Sequence, residues 1–446
     1  MTCKERKILW SLCVLAFALR IGAIWTLHSW IHPDPMEHRS IAVSLVNEGC
    51  FCFTDFGHRG PSSFQSPPYP LLLAAMFKIF GVQSAAAYQA VMALNALVGA
   101  LCVWLTYRLA RTMGGGSAVG LVAAGAVAVW PTQIYACTVA QAVVLITAGV
   151  TALPSLFYAA TRSGRFAPWL GFSVVGCIAA LTEPAFLPAM ALSGLLILFA
   201  RRLEIKTRVR NSAALLVVAL AVLGPWTYRN YRVHGAFVPV KSSFWVNTWK
   251  GNNDFASGTD RVALSKADAS RLRWWHIGDP RAREVDGVHA YRTLDEATRA
   301  RLMYKSELER EKIFKEITVA WIRSHPAAYA RLCGLRLGKT LWVDWENPKT
   351  YNLFYVLGRA LLLCTAGIGL LIALRRRWTL GFAALLYLST LALYTLTITA
   401  ARFALPFEPM MLCLSSLAVI SAWERIRGAG AADKQASSAV PAHAAL

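Results

Sequence analysis

Ten apolar runs constrain this chain more than any other feature of its sequence. The first, ILWSLCVLAFALRIGAIWTLH, starts at Ile8, and the others fall at about 84–107, 117–131, 138–159, 168–182, 185–200, 212–228, 353–374, 379–398 and 404–423. A bilayer core needs about 20 apolar residues per helix, and most of these runs approach that length. Runs 117–131 and 168–182 are the shortest. The chain is 56% hydrophobic and only 16% charged over 446 residues, against about 25% charged in soluble domains. The expected fold class is therefore an all-α integral membrane protein with about ten transmembrane helices. No small-x-small cleavage site follows the first run, so it reads as a retained anchor.

The basic residues orient this array. With the KERK terminus inside, the inner links are Arg108–Gly116, Arg162–Arg165, Arg201–Arg210, Arg375–Arg377 and the tail from Glu424. These links are short and mostly Arg-rich, as the positive-inside rule requires. Both termini are then cytoplasmic, and much of the formal charge of +22 is orientation charge. No basic run with interleaved aromatics points to nucleic acid.

Two large segments fall on the outer side. Residues 29–83 hold an expected helix at 36–48 and the stretch PPYPLLLAAMFKIFG, which reads as an interfacial helix. Residues 229–352 form a second outer region. Its start, FVPVKSSFWVNTWKGNN, is β-branched and aromatic and reads as irregular or strand-like. Its later part is helical in pattern, with an expected Glu311–Lys315 pair. AAYARLCGLRLGKTLWVDW follows as an amphipathic helix on the membrane. The expected units are 1–228, 229–352, 353–424 and a disordered tail, 425–446. Most cysteines sit singly in apolar runs and read as small core residues. Cys50 and Cys52 stand in a loop without the further ligands of a zinc site.

This topology gathers polar residues at the outer face: Asp34, Glu37, Gln141, Glu183, Arg229, Arg232 and Arg402. Each has a plain structural reading. Asp34 precedes Pro35 and stands three residues before Glu37, the spacing of a capping box. Arg229 and Arg232 fit interface anchors. The Trp and Asn of WKGNN fit loop packing, although aromatic faces beside amide donors also suit a sugar.

In order, the motifs DPMEHRSIAVSLVNEGCF, SPPYPLLLAAMFKIFG, GPWTYRNYRVHGAFVPV, WKGNN, WIRSHPAAYARL and ARFALPFEPMM resemble a known family. The likeness is to C-type (GT-C) glycosyltransferases that use polyprenyl-phosphate-linked sugars. The nearest groups are the bacterial relatives of protein O-mannosyltransferases and of lipid A aminoarabinose transferases. The resemblance implies transfer of a sugar from a lipid phosphate to an extracytoplasmic lipid, glycan or protein at a bacterial inner membrane, with inversion. It implies Asp34 as catalytic base. It matches Arg402, more loosely, to the family's arginine that holds the lipid phosphate. The outer-face cluster adds Glu37, His38, Gln141, Glu183, Arg229 and Arg232 as candidate substrate-binding residues, and the WKGNN loop adds Trp249, Asn252 and Asn253. No cofactor is required, and there is room for a divalent cation. Three positions depart from the family pattern: His38 stands where Tyr is usual, Gln141 where many relatives have Glu, and Glu183 where Arg is common. Two other classes fit parts of the sequence. One is a transporter or flippase of lipid-linked glycans, and the other is an inactive relative that binds glycan or partner proteins.

Overall fold

The structure is a computed structural model that describes residues 1–163, 165–200, 203–259, 290–345, 347, 350 and 353–438. The helices begin with α1 (Cys3–Thr26), α2 (Glu37–Glu48), α3 (Pro68–Phe80), α4 (Ala85–Met113), α5 (Ser117–Val129) and α6 (Pro131–Tyr135). There follow α7 (Val143–Ser163), α8 (Phe166–Thr182), α9 (Leu187–Leu198), α10 (Ile205–His234) and α11 (Phe244–Lys250). The last are α12 (Glu296–Leu302), α13 (Glu307–Ser324), α14 (Pro326–Leu341), α15 (Leu353–Arg375), α16 (Gly381–Leu396) and α17 (Glu408–Ser438). One antiparallel hairpin, β1 (Cys52–Asp55) and β2 (His58–Pro61), turns at Phe56 and Gly57, both at positive φ.

The apolar runs are helical where expected, but they differ in reach. Among the described residues, six helical stretches are long and apolar enough to cross a membrane: α1, α4, α7, α10, α15 and Ala401–Arg427. The helix pair α5 and α6 makes a seventh if counted as one bent span. The apolar helices α8, α9 and α16 are shorter than a span, so of the ten expected spans six, or seven with the bent pair, have helices long enough to cross among the described residues. α3 is short as well, in line with a helix that does not span.

The bend between α5 and α6 has a chemical cause. Pro131 has no N–H to give the carbonyl of Val127, one turn back. Buried Arg20 of α1 supplies the missing donors, reaching Val127 O at 3.1 Å and Ala128 O at 3.0 Å. The helix breaks there by 53°, with a cation at the negative end of α5.

Four further expectations are corrected. The segment read as strand-like contains α11, because Glu311 accepts the N–H groups of Trp245 at 2.7 Å and Val246 at 2.9 Å. Glu311 therefore serves the first turn of α11, while the Lys315 ammonium lies 5.7 Å over the Trp245 ring. The boundary at 228/229 falls inside α10, which runs on to His234. The tail expected to be disordered is helical as far as Ser438, and its last residues, 439–446, lie outside the described residues.

Candidate functional site

The segment after α1 does not fold as a capping box. α2 starts at Glu37, and its N-cap is Met36, without a side-chain cap. Asp34 and Met36 both take positive φ, 48° and 52°, on either side of Pro35. Met36 has ψ −142°, a region that side chains with a Cβ avoid. Tertiary hydrogen bonds hold this conformation. Ala140 donates its N–H to Pro33 O at 2.7 Å, and the Gln141 amide donates to Asp34 O at 3.0 Å. The start of the first loop is thus pinned to the chain just before α7.

A cavity of about 350 Å³ opens beside this strained turn. Met36, Glu37 and His38 form one part of its wall, with Gln65, Ser66 and Tyr69 next to them. Gln141 comes from the chain just before α7, and Glu183 from the cap at the end of α8. Lys241, Asn247 and Lys250 come from α11 and the residues before it. Tyr394, Thr397, Thr399 and Arg402 come from the end of α16 and the strip after it. The cavity meets α8 and α16 at their C-terminal ends and α7 at its N-terminal end. The Arg-rich links at 162–165 and 375–377 join the opposite ends of these helices.

The charges are unevenly paired. Lys241 lies 3.9 Å from Glu183. Glu37 accepts a hydrogen bond from the Gln65 amide at 3.2 Å. Among the described residues, Arg402 and Lys250 make no ion pair or hydrogen bond through their charged ends. The Arg402 guanidinium stands 5.4 Å over the Phe403 ring, and the Lys250 ammonium 4.7 Å over the Tyr291 ring. Lys250 is nevertheless 8% exposed. Buried cations need a partner, and an anionic ligand in the cavity would be one. His38 packs on Tyr69 with ring centres 5.1 Å apart. Burial pushes its pKa down to about 4, so the ring is neutral at pH 7.

The remaining predicted residues lie elsewhere, and Asp34 is among them: it stands two residues before Met36, where the cavity wall begins, and is not itself part of that wall. Arg229 donates to Ser62 O at 2.6 Å and Phe51 O at 3.2 Å and stacks over Trp226, so it ties α10 to the first loop behind the cavity. Arg232 is exposed and reaches the Tyr228 hydroxyl at 3.2 Å. Trp249 is buried against Phe314 and Tyr291. Asn252 donates to Thr248 O at 2.7 Å and Thr397 O at 3.0 Å. Asn253 bonds back to Trp249 O at 2.9 Å. WKGNN is therefore a docked turn, and Lys250 is its residue on the cavity wall. Lys241 and Lys250 were not singled out from the sequence, since nothing local sets them apart from other loop lysines. In the same loop region, Cys50 and Cys52 are joined as a disulfide.

No family description matches the sequence, and no curated protein does. Solved structures match by fold. The oligosaccharyltransferase of Archaeoglobus fulgidus, in complex with an inhibitory peptide and a dolichol-phosphate, aligns over 100% of this chain and 53% of its own. The TM-score is 0.55 at 14% identity. The same enzyme in complex with Zn and sulfate aligns over 94% of this chain and 49% of its own, at TM-score 0.52 and 14% identity. ArnT from Cupriavidus metallidurans, bound to undecaprenyl phosphate, covers 89% of this chain and 77% of its own, at TM-score 0.40 and 13% identity. The chain spans about half the length of the oligosaccharyltransferase, and at this identity the likeness is one of fold. No group of three or more His, Cys, Asp or Glu among the described residues is arranged to hold a metal ion.

Proposed function

We propose that this chain is a membrane glycosyltransferase that moves a sugar from a polyprenyl-phosphate-linked donor to an extracytoplasmic acceptor. The observation that carries the reading is the cavity itself. It has a wall of mixed polar and apolar residues, sits at one end of a bundle of apolar helices, and carries two cations, Lys250 and Arg402, whose charged ends make no ion pair or hydrogen bond among the described residues. A phosphodiester on a lipid tail fits this combination of charge and position, because basic pockets between membrane helices suit anionic headgroups. The dolichol-phosphate bound by the oligosaccharyltransferase of similar fold supports the same ligand chemistry.

In the proposed reaction the acceptor attacks the anomeric carbon opposite the phosphate. The new bond forms from the acceptor heteroatom, and the bond from carbon to phosphate oxygen breaks with its electron pair on the phosphate. Arg402 and Lys250 stabilise the departing charge, the role of preorganised donors in transfer chemistry. Asp34 takes the acceptor proton. The strained turn at Asp34 and Met36 supports that role, since backbone strain of this kind is kept where the surroundings enforce it and often at functional sites. Glu37, on the wall, holds an acceptor or sugar hydroxyl. Attack opposite the leaving group inverts the anomeric centre. No step runs through a metal.

The full topology belongs to the same proposal: ten spans in a bacterial inner membrane, both termini cytoplasmic and the cavity outside. A transporter would hold its free ionisable groups at mid-membrane on broken helices. Here the buried charges at the α5 break are bonded within the fold, Arg20 to the Val127 and Ala128 carbonyl groups through its Nη atoms and Glu408 to Thr132, Gln133 and Arg359.

The test is transfer by the purified protein from an undecaprenyl-phosphate-linked sugar, read as release of undecaprenyl phosphate. Asp34→Asn is expected to abolish release while the protein stays folded. Full release by Asp34→Asn together with loss in Glu37→Gln would move the base to Glu37. No release by the wild type with any lipid-phosphate sugar would remove the transferase reading.

A further inference from the structure

Arg336 of α14 is fully buried, yet it faces no carboxylate among the described residues. Its Nε donates to Thr395 O at 2.6 Å, and its Nη1 donates to Gly251 O at 2.8 Å and to Asn252 Oδ1 at 3.1 Å. The remaining nitrogen meets the Cys333 sulfur at 3.2 Å. A guanidinium held only by neutral acceptors in the interior is poorly compensated for lost hydration. Burial accordingly pulls its pKa below the usual arginine value. Simple packing would be met more cheaply by Leu or Met, so the charge has another task.

The bonding partners identify it. Gly251 and Asn252 directly follow Lys250. Thr395 lies at the end of α16, just before the strip that carries Arg402. One side chain thus staples together the two strips that bear the unpaired cations of the cavity. The junction has no slack. A Cβ on residue 251 would lie 2.3 Å from Thr397 O, and one on residue 258 would lie 3.0 Å from Arg336 Cγ. Asn252 closes the same junction through Thr397 O at 3.0 Å.

We infer that Arg336 is a positioning residue that sets Lys250 and Arg402 at a fixed spacing for one phosphate group. This inference rests on the transferase reading of the cavity. It makes the WKGNN turn a mount for Lys250 rather than a sugar-binding surface.

The test uses the full chain in lipid nanodiscs with undecaprenyl phosphate as probe, measured by tryptophan quenching. Arg336→Lys keeps the charge but loses the three-way fork. It is expected to weaken binding about tenfold, the scale of one charge-assisted hydrogen bond. In a Lys250→Met background the same substitution is expected to change binding less than about twofold, because the spacing between two cations that Arg336 sets no longer exists once one of them is gone. A role in general stability alone would give the same fall in both backgrounds and would overturn the inference. So would wild-type binding by Arg336→Lys, with the transferase reading left standing. If the wild type itself does not bind undecaprenyl phosphate, both ideas fail together.

Discussion

Removing the Glu408 carboxylate is the sharpest stability test that the fold offers. Glu408 opens α17 and is 1% exposed. It accepts hydrogen bonds from Thr132 at 2.5 Å and Gln133 at 2.9 Å and pairs with Arg359 at 3.5 Å. Arg359 is 3% exposed and also donates to Thr340 O at 2.8 Å and Leu341 O at 3.0 Å, which caps α14. Breaking a buried pair from one side costs about 3–5 kcal/mol, because the other charge remains buried. Glu408→Leu and Arg359→Met should each lose about that much. The double variant leaves no orphan charge, and its loss should fall short of the sum by at least about 2 kcal/mol. Gln133 also donates to Leu405 O at 2.9 Å, so Glu408→Leu loosens the strip that carries Arg402. The assay is equilibrium unfolding in mixed micelles, followed by tryptophan fluorescence, on both single variants and the double. Additivity within about 0.5 kcal/mol would mean that the two groups act independently and would refute the network.

Three other outcomes follow from the same geometry. Gly251→Ala drives a Cβ into the Thr397 carbonyl, and overpacking of this kind costs about 1–3 kcal/mol. Thermal unfolding of that variant should show the loss, and undecaprenyl phosphate binding should weaken with it. His38 has a folded pKa of about 4, below its ordinary 6.5, so the unfolded chain takes up the proton first as pH falls. Stability from neutral His38 is complete above pH 6.5 and is lost toward pH 4, at about 1.4 kcal/mol per unit and about 3 kcal/mol in all. The stability gap between wild type and His38→Phe should therefore shrink on acidification over that window; a constant gap would contradict the buried, neutral ring. Glu311 has the opposite sign. Burial raises its pKa to about 7, so its contribution opposes folding increasingly as pH rises from 4.5 to 7. Glu311→Gln should flatten that part of the pH profile, and an unchanged slope would count against the burial of its carboxylate.

The spans were legible because burial in lipid leaves a mark on every residue of a run. The short helices α8, α9 and α16 were found for the same reason. The cavity was only half legible. Glu37, His38, Gln141, Glu183 and Arg402 were drawn out by topology and resemblance, and they line one space. Lys241 and Lys250 were missed because tertiary packing brings them there. Trp249 buries against Phe314, and Glu311 caps the helix that ends at Lys250. Asp34 misled for a related reason. Its spacing to Glu37 matches a capping box, but bonds from Ala140 and Gln141 pull the turn into positive φ and move the helix start to Glu37. Glu311 and Lys315 have the spacing of a surface pair, yet unpaired N–H groups of another helix claim the carboxylate. In each case the local pattern was real, and a long-range partner outbid it.

The central claim is a sugar leaving a lipid phosphate at this cavity. Deleting the gene and comparing lipid-linked and envelope glycans by mass spectrometry tests it most directly. The account predicts that a polyprenyl-phosphate sugar accumulates while one envelope glycan loses that sugar, and that Asp34→Asn reproduces both changes. Unchanged glycans, or full rescue by Asp34→Asn and by Glu37→Gln alike, would contradict it.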